Sequence, residues 1–131
     1  GFLRPSPDTT VTIPATARKV LSVGAFNQDA GSMAPFSGRG YTADGRLVPL
    51  IVAYGVDVTA AGYGGGYVRK TGTSFAAPKI SGYAACIMEW GIVRRNDENM
   101  YGEKLIAYMT RYAVGIEGEE MPGIRQGWGL I

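Results

Sequence analysis

Lys70-Thr71-Gly72-Thr73-Ser74-Phe75-Ala76-Ala77-Pro78 decides how this 131-residue chain is read. It sets one serine between a Gly-Thr pair and a run of small residues that opens a helix-like pattern. Gly72 lets the backbone turn sharply and lets another chain come close, because it carries no side chain. Ser74 suits a helix N-cap, and Pro78 falls near the first turn, where a missing N–H costs least. Phe75 to Trp90 is rich in Ala and apolar residues, the composition of a helix that packs tightly. A helix beginning at Ser74 would aim its free N–H groups and positive dipole end at the serine. The local pattern fits two roles: a plain cap, or a nucleophile whose own N–H can donate to a developing oxyanion.

Working outward, the rest of the chain lacks the usual partner of such a serine. It has no histidine, the common base for an attacking hydroxyl. Lysine replaces histidine in some serine enzymes. Lys79, however, lies five positions on, about 140° around a helix from Ser74. Lys70 precedes the turn and reads as a solvated charge. The single cysteine, Cys86, excludes an internal disulfide and falls inside the Ala-rich helix, where a buried thiol is expected. A net charge of +2 makes no case for nucleic acid. No apolar run reaches the ~18 residues needed to span a bilayer. The acidic residues show no zinc-like spacing and no EF-hand loop.

Several further blocks accompany the serine stretch. Ile13-Pro14-Ala15 leads through Arg18 and Lys19 into Val20-Leu21-Ser22-Val23-Gly24-Ala25. Then come Ala34-Pro35-Phe36-Ser37-Gly38, Ile51-Val52-Ala53-Tyr54-Gly55-Val56-Asp57 and, at the end, Gly127-Trp128-Gly129-Leu130-Ile131. Together with Gly72-Thr73-Ser74-Phe75-Ala76-Ala77-Pro78, these resemble, in order, the blocks that close the catalytic domain of subtilisin-like serine proteases. The resemblance covers roughly Thr9 to the C-terminus. Its wording around Thr10–Ala17 and Trp90–Lys104 is similar to clostridial-type subtilases, a group that includes spore germination proteases and some pseudoproteases.

The resemblance implies an α/β fold: the C-terminal portion of a subtilisin-like domain, a mostly parallel sheet with a long buried helix after the serine. It implies that residues 11–131 belong to that incomplete catalytic domain and that 1–10 are a lead-in, the exit of an inserted domain. It makes Ser74 the catalytic nucleophile, puts Gly72 and Thr73 near the scissile bond, and puts Pro14, a candidate cis-proline, near the specificity pocket. The implied partner is a polypeptide substrate. The family's Asp-Thr-Gly, His-Gly-Thr and oxyanion asparagine blocks have no counterpart here and are expected upstream, so this chain alone is expected to be inactive. Calcium binding is a family habit, but no ligands can be matched and no cofactor is assigned. A secreted, spore or cell-envelope location is what such relatives imply. A pseudoprotease segment that binds or signals, or a small stand-alone α/β binding domain, are the alternatives.

Local patterns predict the elements. Strands are expected at Lys19–Ala25, Leu47–Ala53 and Val56–Ala60, with Pro49 arguing for an irregular start to the second. Gly62–Gly66 should turn a hairpin into Tyr67-Val68-Arg69. A second helix is expected over Asn99–Ala113, capped by Asp97 or Asn96, with Tyr101, Leu105, Met109 and Tyr112 on its core face. Without the rest of the sheet, an apolar helix face and a strand edge should stand uncovered, which predicts self-association of the isolated chain.

Overall fold

The computed structural model describes residues 6–131; the beginning of the expected lead-in lies outside them. At its centre, β1 (Val23–Asn27) pairs in parallel with β5 (Ile51–Tyr54), Gly24 opposite Val52 and Ala25 opposite Ala53. The short β2 (Ser32–Met33) adds antiparallel to β1. Gly127–Ile131 runs along the other edge of β5, bridging Leu130 to Val52 in parallel. Val52 N–H donates to the Gly129 carbonyl at 2.8 Å, and Ile131 N–H to the Val52 carbonyl at 3.1 Å. The approach is close: a Cβ on Gly127, whose φ is +61°, would sit 2.2 Å from the Leu50 carbonyl oxygen. The parallel pairing expected from the sequence is therefore confined to this central layer. Two antiparallel ribbons surround it, β3 (Gly40–Tyr41) with β4 (Leu47–Val48), and β6 (Val58–Ala61) with β7 (Tyr67–Lys70).

Alternation along the strands divides the core between two faces. Ala25, Ile51 and Ala53 point to one face, where Ala76 and Ile80 of α1 (Thr73–Met88) meet Met109 of α2 (Gly102–Tyr112). Phe26 and Val52 point to the other, with Met33, Ile116 and Leu130. Small residues at Ala25, Ala53 and Ala76 let α1 lie close on the sheet.

Several boundaries differ from expectation for local reasons. Lys19 has φ +61°, in the left-handed region, and cannot open the expected strand; β1 begins at Val23. Pro49 has no N–H for a ladder, and the expected Leu47–Ala53 strand divides there into β4 and β5. The Ile13–Pro14 peptide is cis, as are those before Pro49 and Pro122. The helix after the serine is not buried all round. Ala76 and Ile80 are buried, but Tyr83 and Trp90 are about half exposed, at 50% and 45%, and Cys86 is exposed rather than enclosed. Beyond Met88 the helix widens into a π-helical turn, Glu89–Val93. Neither Asp97 nor Asn96 caps α2. Asp97 instead accepts from Asn99 N–H and pairs with Lys104 at 2.5 Å, ordering the turn before the helix. Met109 is core and Leu105 half-buried, whereas Tyr101 and Tyr112 are exposed.

Candidate active site

The helix carrying Ser74 begins one residue earlier than the pattern suggests. Gly72, not Ser74, is its N-cap, and no side chain caps it. Gly72 has φ +153° and ψ 159°, a backbone region essentially reserved for glycine. Ser74 therefore lies inside the first turn, with an exposed side chain.

The turn is fixed from below by the sheet. Gly72 N–H donates to the Gly55 carbonyl at 2.8 Å, and the Gly72 carbonyl accepts from Phe75 N–H at 3.0 Å. Thr71 Oγ1 accepts from Asp57 N–H at 3.0 Å. Gly55 follows directly on β5 and is itself buried. Thus β5, the turn after it and the start of α1 form one hydrogen-bonded unit, and the serine rides on it.

A cavity of about 640 Å³ opens beside Ser74. Thr73 and Ser74 form one side, Ile13, Pro14 and Ala15 another, and Phe36 to Arg39 a third. Of the residues singled out from sequence, Ser74, Thr73 and Pro14 meet around this space, while Gly72 supports it from behind. The loop carrying Phe36 is held to β1 by Ser37, whose Oγ accepts from Ala25 N–H at 3.0 Å. Thr10 and Arg39 join two walls: Thr10 N–H donates to the Arg39 carbonyl and Arg39 N–H to Thr10 Oγ1, each at 3.0 Å.

Lysine does not approach the serine as a base would. The Lys79 ammonium sits 5.3 Å from the centroid of the Tyr54 ring, a cation–π distance. Lys70 is exposed at the end of β7. Among the described residues, no three Asp, Glu or Cys side chains gather as a metal site would need. The strongest electrostatic perturbation lies behind the Pro14 wall. There the Asp44 carboxyl is lowered from 3.8 to about 2, first by the hydrogen bond from the Thr42 hydroxyl and then by the one from Arg46. Asp97 is also lowered, chiefly by its bond from Lys104. Sequence reading missed Arg46 and Asp44 altogether. Their only signal was the turn-forming Asp44-Gly45 pair beside an arginine.

Comparison with known proteins bears on the family and the fold. The sequence pattern of the Subtilase family matches residues 4–129. The structure of the Clostridium perfringens CspB protease superposes with a TM-score of 0.93 at 39% identity, over 98% of this chain and 28% of that one. The self-cleaved protease domain of PatA superposes with a TM-score of 0.72 at 33% identity, over 91% of this chain and 40% of that one. The C5a peptidase of Streptococcus pyogenes is 33% identical over 100 residues, 76% of this chain and 8% of that protein. The chain thus spans less than half the length of each of these relatives. No helix among the described residues is long and apolar enough to cross a membrane.

Proposed function

The chain belongs to the subtilase family, and on that premise we propose that it is the nucleophile-bearing part of a serine endopeptidase, with Ser74 as the attacking residue. Ser74 Oγ adds to the carbonyl carbon of a peptide bond while its proton passes to a histidine. The C–N bond then breaks, the amine leaves with that proton, and the acyl group stays on Ser74 as an ester that water hydrolyses. The observation that carries this reading is an exposed serine in the first turn of a helix, beside an open cavity. The Ser74 N–H and the positive helix end favour the tetrahedral oxyanion. Gly72 and Thr73 flank the scissile bond, and the Pro14 wall contacts the substrate side chain.

These 131 residues contain no histidine; on this reading the base, the orienting aspartate and the oxyanion asparagine would be supplied by an upstream portion of the protein. Without them a serine enzyme keeps only what binding and oxyanion donors supply. On this reading the chain by itself should show no useful peptidase activity.

Fluorophosphonate probes test this, because they phosphonylate a serine only where a base and an oxyanion site activate it. The longer natural protein should be labelled at Ser74, and neither its Ser74→Ala variant nor the 131-residue chain should be. A folded longer protein that takes no label would sink the proposal and leave a pseudoprotease that binds peptides through the same cavity.

A further inference from the structure

The segment that forms the Pro14 wall is held in an unusual way. Among the described residues, the one main-chain hydrogen bond made by residues 11–21 is internal, from Ala17 N–H to the Pro14 carbonyl at 3.0 Å. Packing does little for it either. Ile13 is 85% exposed, and Ala15 borders both the cavity beside Ser74 and a second space of about 430 Å³ on its far side. The wall is therefore one loop thick with open space on two sides.

Two side chains of the folded body reach this loop: Glu103 of α2 pairs with the exposed Lys19 ammonium at 3.5 Å, and Arg46 grips the loop's own carbonyls. Arg46, at the foot of β4, donates from Nη1 to the Ala17 carbonyl at 3.0 Å and from Nη2 to the Thr16 carbonyl at 2.6 Å. Its Nε donates to both oxygens of Asp44, at 3.0 and 3.1 Å. Asp44 is held in turn by the Thr42 hydroxyl at 2.5 Å and by Arg18 from the loop itself at 3.0 Å. A planar guanidinium suits this task, because its donors lie in a fixed fork that can meet a carboxylate and two carbonyls at once. An ammonium offers no such geometry.

We propose that Arg46, oriented by Asp44, is a positioning residue that sets the Ile13–Ala15 wall of the cavity by gripping the Thr16 and Ala17 carbonyls. Arg46 touches no substrate; it acts through the backbone two residues beyond Pro14. That the wall meets a substrate side chain rests on the proposed peptidase function, whereas the grip itself does not.

Hydrogen exchange of the 131-residue chain separates the two. Bonds to a charged donor are among the stronger ones, so Arg46→Ala should raise exchange at the Ala17 amide by about tenfold. The amides of Val52 and Ile131 in the central sheet should change little. Asp44→Asn, which spares Arg46, should produce the same local effect at smaller size. Guanidinium ion, well below denaturing concentration, should restore protection in Arg46→Ala, while an equal concentration of sodium chloride should not. In the longer protein, Arg46→Ala should raise KM for peptides severalfold and leave kcat nearly unchanged, and Arg46→Lys should recover only part of the loss. Unchanged exchange at Ala17 in both variants overturns the positioning role, whatever the protein's activity. Faster exchange with an unchanged KM overturns the link to substrate. Failure of the unmutated longer protein to take a fluorophosphonate refutes the peptidase reading, and the exchange result still decides the grip.

Discussion

Gly55→Ala tests whether the serine turn is really carried by the central sheet. A Cβ at Gly55 would lie 2.7 Å from the Ala25 Cβ and 3.1 Å from the Gly72 carbonyl oxygen. Ordinary carbon contacts are about 3.5–4.0 Å, so a gap of roughly 1 Å must be made somewhere. Ala25 cannot yield easily: it is fully buried, paired with Ala53, and in the same cluster as Ala76. Overpacking of this kind costs about 1–3 kcal/mol. For a chain of this size that lowers Tm by roughly 3–12 °C. The part of the strain that moves Gly72 moves Ser74 with it, and a displacement near 1 Å can cost about 10²-fold in rate. Chemical denaturation and thermal melting measure the first effect. Ala25→Gly supplies the control, since it removes the atom that clashes. If the contact is the cause, the double variant recovers at least ~1 kcal/mol relative to the sum of the single changes. A Gly55→Ala chain as stable as the parent, or strictly additive single changes, would refute the reasoning.

Ser74→Ala should change folding stability by less than about 0.5 kcal/mol, since the side chain is exposed and caps nothing; a loss near 1 kcal/mol in denaturant would mean that the serine caps the helix after all. Gln126→Leu should cost about 3 kcal/mol, read as a lower denaturation midpoint at unchanged slope. Its fully buried amide accepts from Ile116 N–H at 2.8 Å and donates to the Glu119 and Glu120 carbonyls at 3.1 and 2.9 Å, so an apolar replacement strands three backbone groups. Asp44 should titrate with a midpoint of about 2 in a carboxyl-carbon NMR experiment. Its folded value lies below the ordinary one, so its stabilisation is complete above pH about 3.8 and is lost as pH falls through about 2. Arg46→Ala should move that midpoint upward, and an unchanged midpoint would exclude Arg46 as a cause.

The parts of the fold that could be read from sequence are those specified by local chemistry. Gly62–Gly66 marked the β6–β7 hairpin because clustered glycines at a turn leave few alternatives. Ile51–Ala53 and Val23–Ala25 stood out as buried strands because both faces of the central layer are covered. The helix cap was misplaced by two residues because Ser74 has the composition of a cap, while Gly72 has the backbone of one. The burial of α1 was overread for a different reason. Alanine and apolar residues permit close packing on every side, but composition does not say which sides are met, and Tyr83, Cys86 and Trp90 are not. The same limit applies to Tyr101, at the cap of α2, and to Tyr112, at its end, both of which are exposed.

At the cavity, Ser74, Thr73 and Pro14 could be named from sequence because local motifs carry them. Arg46 and Asp44 could not, because their meaning arises from contacts some thirty residues away, at the Thr16 and Ala17 carbonyls. The two kinds of support also differ physically. The serine is set by backbone bonds to a buried glycine, which yield only if the core moves. The other two walls lean on side chains: the Arg46 fork grips the backbone just beyond Pro14, and the Thr10 hydroxyl holds Arg39 of the Phe36–Arg39 wall, and both can be exchanged without disturbing the sheet. On the proposed function, changes under Gly55 should therefore fall on the chemical step, and changes at Arg46 on substrate fit. Loops can then be varied for different peptides while the nucleophile keeps its place.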